Sequence, residues 1–171
     1  MAASRLILLA ILSLACSGQK AGPEGEQPSR HVASAFLVDD AGLRAGLATF
    51  TTRDTGISVT VSTAGLTPGP HGIHIHENGD CTPPDFKTAG AHFNPGNRQH
   101  GLLNPQGPHA GDMPNLVVKE NGSADTTLTL PTEMLRPDSQ ALVIHAQADD
   151  QRTEPAGNSG ARLFCGVIKR D

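Results

Sequence analysis

The sequence predicts an all-β domain. Short segments from His31 onward alternate apolar and polar residues with the two-residue period of a strand, and they show no helical period. The 171 residues include 19 glycines and 13 prolines, which fit short strands joined by many turns. The length corresponds to one domain, and about eight such strands indicate a sandwich or a barrel.

Each predicted strand is a short apolar or alternating segment. In chain order the strands are Val32–Val38, Ala45–Phe50, Ile57–Val61, Gly72–Glu77, Leu116–Lys119, Asp125–Leu130, Ala141–His145 and Arg162–Ile168. Turn signals separate several of them, at Asp40–Gly42, Asp54–Gly56, Thr67–Pro70 and Glu120–Gly122.

Two long segments, Asn78–Asn115 and Ala148–Ala161, have no strand pattern. Loops of this length inside a compact domain are usually functional. They begin directly after His76 and three residues after His145, and the first contains three further histidines. We therefore expect both segments to build the functional site.

Composition argues against a nucleic-acid partner. The formal net charge is -4 and the isoelectric point is near 6.0, so electrostatic attraction to phosphates is not expected. The chain also has no Trp, no Tyr and only five Phe, which leaves few rings on which bases could stack.

The N-terminus has the pattern of an export signal. Arg5 precedes an apolar run, Leu6–Ala15, that is too short to span a membrane, which takes roughly 20 residues. Cys16 after this run resembles the lipidated cysteine of bacterial lipoproteins, and ordinary cleavage near Ala15 or Cys16 is the alternative. We expect residues 1–16 to be a signal segment, 17–30 a flexible tether and 31–171 the folded domain of an exported, envelope-associated protein.

The three cysteines are consistent with export. If processing or lipid removes Cys16 from the count, Cys81 and Cys165 remain as one pair. An oxidising compartment favours a disulfide between them. The alternative is that one or both are thiolate metal ligands, but the supply of histidines makes thiolates unnecessary.

The histidines predict a metal site with two centres. His74 and His76 lie two residues apart on one predicted strand, so their imidazoles share a face, whereas Ile75 faces the other way. With His145 from another strand they form one cluster of imidazoles, a ligand type suited to copper and zinc. A second set is suited to a tetrahedral zinc site and comprises His92, His100, His109 and Asp112.

At these residues the chain resembles the copper,zinc superoxide dismutases, in particular their exported bacterial branch. The resemblance extends over nearly all of residues 31–171. It rests on Gly72–Glu77, Gly90–Pro95, His100–Gly101, His109–Asp112, Leu142–His145 and Gly157–Val167, with Glu77–Thr82 spelled as in the bacterial branch.

The resemblance implies an eight-stranded antiparallel Greek-key barrel and a role for each site residue. It implies copper ligands at His74, His76, His92 and His145, and zinc ligands at His92, His100, His109 and Asp112. His92 would then bridge one copper and one zinc ion. Cys81 and Cys165 match the family's disulfide. Asp149 matches a carboxylate that hydrogen-bonds His74 and His100, and Arg162 matches the arginine that attracts the superoxide anion.

The implied reaction is the dismutation of superoxide to oxygen and hydrogen peroxide. Copper cycles between two oxidation states, whereas zinc is redox-inert and orients the loop and the bridge. In the family, the bridge opens when copper is reduced, and the histidine matching His92 takes up a proton. The sequence leaves open whether the enzyme is a monomer or a homodimer.

Other readings of individual residues are also considered. His31 and His71 lie outside the ligand set and are interpreted as solvated turn or strand-edge residues, and Asp150 and Glu154 as a solvated charged face. Arg162 alone would more often be a surface or ion-pairing residue.

A non-catalytic copper/zinc-binding protein or chaperone is the alternative function, although all seven ligand positions and Arg162 are present. A purely structural envelope domain would make no use of six converging histidines.

Overall fold

The chain folds into short β-strands joined by long loops. The structure, a computed structural model, describes residues 29–54, 56–130, 134–136 and 139–171, and these ranges contain no α-helix. The ten strands are β1 Arg30–Val38, β2 Arg44–Arg53, β3 Gly56–Ala64, β4 Gly69–His71, β5 Ile73–His76, β6 Leu116–Val118, β7 Ser123–Leu130, β8 Ala141–His145, β9 Arg162–Val167 and β10 Lys169–Arg170.

The strands form one large and one small antiparallel sheet. The large sheet has the order β5-β8-β9-β1-β2-β3-β7, with β10 also paired to β1, and the small sheet pairs β4 with β6. The pairs β3–β7 and β5–β8 join strands that are distant in sequence, which requires Greek-key crossovers. Because β4 leads into β5 and β6 turns into β7, the small sheet connects the two edge strands of the large one. The predicted all-β, antiparallel Greek-key class is confirmed.

The core lies on the inner face of the curved large sheet. Phe50 of β2 is fully buried and pairs with Ala33 of β1 on one side and Val59 of β3 on the other, both also fully buried. Phe36 points outward from β1 and is 51% exposed. This alternation is the one expected from the sequence, because successive side chains of a strand face opposite sides of the sheet.

Two of the ten strands were not predicted. Thr67–Pro70 was interpreted as a turn, but Gly69 and Pro70 belong to β4, where Pro70 pairs with Val117. A short edge strand tolerates the missing N–H of proline, which a central strand would not. The other unexpected strand is β10, a pair of residues that continues the chain from β9 onto β1.

The two long segments are attached to the sheet at specific points. In segment 78–115, His92 forms an isolated β-bridge with His76, and Asp112 forms one with His74. The predicted disulfide joins Cys81 in this segment to Cys165 on β9, with the Cα atoms 5.6 Å apart and a sequence separation of 84 residues. A crosslink over a span of that length stabilises a fold by about 4 kcal/mol through loop entropy.

No helix in the described ranges is long and apolar enough to cross a membrane. The predicted signal segment, Cys16 and most of the tether lie outside the described residues.

Candidate metal centre

The centre is built on β5, whose residues are all buried. His74 and His76 project from the face of β5 opposite to Ile75, which is fully buried in the core. On one side β5 pairs with β8, which ends in His145, and on the other side the long loop approaches through its bridges to β5. Ligands that are distant in sequence are thus brought together at one edge of the large sheet.

The predicted copper ligands converge. The ring centroids of His74 and His145 lie 4.9 Å apart, those of His76 and His92 4.9 Å apart, and those of His76 and His145 5.8 Å apart. One ligand atom from each of these four buried residues lies within 4.8 Å of the others. The separations suit a single metal ion at the centre of the group.

The predicted zinc ligands converge on Asp112. Its Oδ1 atom lies 2.9 Å from Nδ1 of His92, 3.1 Å from Nδ1 of His100 and 3.3 Å from Nδ1 of His109. A tetrahedron with metal–ligand distances of about 2.0–2.1 Å has edges of about 3.3 Å. The four atoms are therefore spaced as ligands of one small ion.

Unpartnered nitrogen atoms provide the test of whether metals fit. Six buried ring nitrogens have no hydrogen-bond partner among the described residues: His74 Nδ1, His76 Nε2, His92 Nε2, His100 Nδ1, His109 Nδ1 and His145 Nε2. Buried polar atoms without a partner are costly and rare, and here all six belong to the two clusters. His92 presents Nδ1 to Asp112 and Nε2 to the other cluster. The donor set fits two ions that share His92.

The opposite ring nitrogens are hydrogen-bonded. His76 donates from Nδ1 to the carbonyl oxygen of Gly90 over 2.9 Å, and His145 donates from Nδ1 to that of Gly160 over 3.3 Å. A proton on these nitrogens leaves the lone pair of the other nitrogen facing the cluster. Such outer hydrogen bonds fix the tautomer and the orientation of a metal-binding ring.

Asp149 fixes the orientation of one histidine ring in each cluster. Its buried carboxylate accepts from Nε2 of His74 over 2.7 Å and from Nε2 of His100 over 3.0 Å. Gly157 makes room for it, because a Cβ atom at that position would lie 1.7 Å from Asp149 Oδ1. Asp149 is not a loop-surface residue, since it is only 3% exposed.

Burial decides the protonation of most of the histidines. It lowers the pKa of His92 to about 4 and that of His145 to about 3, and it holds the pKa of His76 well below its usual value. For His100 burial also acts downward, but the hydrogen bond to Asp149 and the nearby charge of Asp112 outweigh it and raise the pKa to about 9. Burial acts upward on both carboxyls, yet the hydrogen bonds from histidine lower the pKa of Asp112 and Asp149.

Arg162 lies on β9 at an open pocket of about 800 Å³ that reaches the first cluster. The half-buried guanidinium donates from Nη1 to the carbonyl oxygen of Phe86 over 2.6 Å and from Nη2 to that of Gly90 over 2.7 Å. Two further cations line the pocket, Lys87 and Arg136, the latter with its guanidinium carbon 5.1 Å from the ring centre of Phe93. Neither cation was predicted, because Lys87 and Arg136 are distant from Arg162 in the sequence and reach the pocket only through the fold.

Two interpretations of histidine and glutamate are corrected. His71 is 1% exposed rather than solvated, and its ring nitrogens lie 2.7 Å from the carbonyl oxygen of His145 and 2.8 Å from that of Thr67. The error follows from the unrecognised strand β4, which places His71 inside the fold. Glu154 is not merely a solvated charge either, because it accepts a hydrogen bond from the backbone N–H of His100.

The remaining two residues lie as expected. His31 is exposed and contacts Asp171 at 2.8 Å, and Asp150 is exposed and accepts hydrogen bonds from N–H groups of its own loop.

Comparison with known proteins identifies related chains. A family model described as copper/zinc superoxide dismutase (SODC) matches residues 44–168. The chain is 40% identical to the superoxide dismutase-like protein YojM of Bacillus subtilis, over 95% of this chain and 93% of that protein. It is also 40% identical to superoxide dismutase [Cu-Zn] 2 of Aquifex aeolicus, over 80% of this chain and 86% of that protein.

A solved structure shows the same fold. The crystal structure of a double mutant of a SOD-like protein from Bacillus subtilis superposes with a TM-score of 0.75 at 43% identity, covering 78% of this chain and 95% of that one.

Replacing Gly157 by alanine is expected to weaken both metal clusters. The added Cβ would displace the Asp149 carboxylate and approach His100 Nε2 to 2.9 Å, so both oriented rings would be released. Losing such outer contacts costs about 10–100-fold in metal affinity, which titration with zinc and copper would measure. Gly65→Ala is the matched control, because Gly65 also has a positive φ of 90° but has no heavy atom within 4 Å of its added Cβ. Equal losses in both variants would contradict the steric explanation.

The metal-free domain is expected to be most stable near about pH 6.5. In the folded domain His92 has a pKa of about 4 and His145 a pKa of about 3, so both stay neutral below about pH 6.5 while the same residues in the unfolded chain become protonated. Protons therefore favour the unfolded chain, and stability falls as the pH falls. Above about pH 6.5, the stabilisation from protonated His100 is lost as the pH rises through its folded pKa of about 9. Thermal unfolding at about pH 4.5, 6.5 and 8.5 tests both limbs. A midpoint that keeps rising from about pH 6.5 to 8.5 would contradict the assignment for His100.

Proposed function

We propose that this chain, which belongs to the copper/zinc superoxide dismutase family, converts superoxide to oxygen and hydrogen peroxide at a copper site joined to a zinc site by His92. The observation that carries the proposal is the set of six unpartnered, buried ring nitrogens arranged in two clusters around that residue. The enzyme acts as a monomer or a homodimer.

The two clusters differ in the metal that they suit. Four imidazoles without a carboxylate (His74, His76, His92 and His145) would hold copper, and the three-histidine, one-aspartate group (His92, His100, His109 and Asp112) would hold zinc. Copper, when bound, supplies the alternating one-electron oxidation and reduction that dismutation needs. Zinc has no redox chemistry, and its site ties the long loop to β5.

The residues of the chain supply orientation, a proton site and access. Asp149 fixes the rings of His74 and His100, and the carbonyl groups of Gly90 and Gly160 fix those of His76 and His145. Nε2 of His92 belongs to the group with His74, His76 and His145 and is the ring atom that would hold a proton for the substrate. His92 also lines the pocket beside Arg162, through which the substrate would reach the site.

Arg162 would attract the substrate. The chain carries a net charge of -4, so its overall field repels an anion and a local positive potential is needed at the mouth. The two carbonyl contacts hold the guanidinium in place without neutralising its charge. Arginine also remains protonated at any working pH and offers planar donors to an oxygen anion.

A non-catalytic copper/zinc-binding protein is the second candidate function. The similarity to a relative that is named only as superoxide dismutase-like favours considering this candidate. Three features argue against this candidate. All seven ligands are present, the outer ring nitrogens are hydrogen-bonded, and Arg162 is held in place at the pocket. Metal analysis of the purified protein together with a superoxide-consumption assay separates the two functions.

The metal assignments predict selective losses. His145→Ala is expected to lose copper and activity while retaining zinc, and His109→Ala to lose zinc while retaining copper, because each residue belongs to only one cluster. His92→Ala should perturb both metals. The matched control is His31→Ala, whose ring is exposed and outside both clusters. Metal content and the copper absorption spectrum are the measurements, and a His92→Ala protein with both metals and a normal spectrum would refute the bridge.

The role of Arg162 predicts a change in rate and in its salt dependence. Arg162→Ala is expected to lower the second-order rate constant about tenfold or more with both metals retained, since a focused field raises association rates by about 10–1000-fold. Arg162→Glu should be slower still, and added salt should leave its rate flat or raise it, because screening weakens repulsion as well as attraction.

Arg152→Ala controls for the loss of any nearby cation, because Arg152 does not line the pocket. If Arg162→Glu matched the unaltered enzyme at low salt, some other feature would guide the anion.

We further propose that the protein is an exported lipoprotein anchored through Cys16, where it removes superoxide from the cell envelope. The support is the apolar run before Cys16 and the Gly- and Pro-containing tether after it. Acyl chains bind membranes through burial of CH₂ groups, at about 0.8 kcal/mol each.

Cys16→Ser is therefore expected to move the active protein to the soluble exported fraction and to remove its acyl groups. Mass spectrometry of the N-terminus and fractionation of cells are the measurements. A wild-type protein that is wholly soluble and carries no lipid would contradict the anchor.

A further inference from the structure

We propose that Glu154 is a positioning residue for zinc, holding the ligands His100 and His109 through one carboxylate; this inference rests on the zinc site of the proposed function. Oε1 of Glu154 accepts a hydrogen bond from the backbone N–H of His100. Oε2 lies 3.9 Å from Nε2 of His109, a separation that a water molecule could bridge. One side chain therefore reaches two of the four residues of the zinc cluster.

The outer nitrogen atoms of the zinc cluster explain why a carboxylate is needed there. A metal-bound histidine usually donates its second ring N–H to a carboxylate, a carbonyl group or water. In this cluster, His92 would use its second nitrogen for the other metal, whereas His100 donates its second N–H to Asp149. Within the described part of the chain, the polar group that faces Nε2 of His109 is the carboxylate of Glu154.

The position of Glu154 at the pocket supports a specific role. Its carboxylate lines the same pocket as Arg162 and His145, through which an anionic substrate must pass. A negative charge there repels superoxide and works against Arg162. A contribution to zinc binding would offset this disadvantage.

Contacts that involve no zinc ligand order the loop that carries Glu154. Asp150 accepts hydrogen bonds from the N–H groups of Arg152 and Thr153, and it also accepts one from the Asn158 side chain. Gly157 donates from its N–H to the carbonyl oxygen of Thr153. These contacts define the backbone of the loop, whereas the Glu154 carboxylate itself is held by the hydrogen bond from the His100 N–H.

The alternative is that Glu154 contributes only to the order of this loop, and Asp150 provides the matched control. Asp150→Ala removes contacts that order the loop but touches no zinc ligand, whereas Glu154→Ala removes the contacts to His100 and His109. Glu154→Gln keeps the shape and an oxygen acceptor for the His100 N–H but removes the charge that faces His109.

The experiment titrates the full-length metal-free protein with Zn²⁺ against a chromogenic chelator and records the visible spectrum with Co²⁺ in the zinc site. Glu154→Ala is expected to raise the zinc dissociation constant about 10–100-fold and to change the Co²⁺ bands. Glu154→Gln should raise the constant about fivefold, since a neutral acceptor is weaker than a charged one. Asp150→Ala should leave it within about threefold.

Three results would overturn the inference. The first is a zinc affinity of Glu154→Ala within about threefold of the unaltered protein, and the second is an equal loss in Asp150→Ala. If Glu154→Ala fails to fold, the third result is a zinc affinity of the isosteric Glu154→Gln variant that equals that of the unaltered protein. Failure of the unaltered protein to bind Zn²⁺ would instead overturn the zinc site itself and the proposed function with it.

Discussion

The buried carboxylate of Asp149 is the interaction on which the rest of the site depends. It accepts one hydrogen bond from His74 and one from His100, so a single side chain orients a ring in each metal cluster. Its backbone is fixed in turn by Asn115, whose side chain donates to the Asp149 carbonyl oxygen and accepts from its N–H. Both long loops are thereby joined at one residue, and displacement of either loop would be felt in both clusters.

The β-sheet provides the rigid side of this arrangement. His74 and His76 are held by strand pairing with β8 and by the apolar burial of Ile75, whereas the loop ligands are brought in by short backbone bridges. The disulfide between Cys81 and Cys165 attaches the first loop to β9 independently of any metal. A preformed site of this kind leaves the imidazole nitrogens turned inward, and it does so at the cost of several unsatisfied polar atoms. Metal binding is the physical event that satisfies them.

Electrostatics at the mouth is a balance of opposite charges. Arg162, Lys87 and Arg136 line the pocket together with Glu77 and Glu154 in a protein of net negative charge. The carboxylates at this mouth make hydrogen bonds to the backbone, Glu77 to Ala91 and Glu154 to His100, so they order the loops that carry ligands. The attraction of an anion therefore depends on where the cations lie and not on their number.

Two-residue periodicity, turn residues and ligand types are local properties, and they predicted the fold class, the strands that carry ligands, two groups of ligands and the cysteine pair. The sharing of His92 between the two groups was implied by the family resemblance. The sequence did not determine β4, since proline is excluded from central strands and Pro70 is tolerated only by pairing at an edge. It also missed the burial of His71, the contacts of Glu154, and the presence of Lys87 and Arg136 at the pocket. Those features arise where loops from distant parts of the chain pack against each other, and only the tertiary structure decides such contacts.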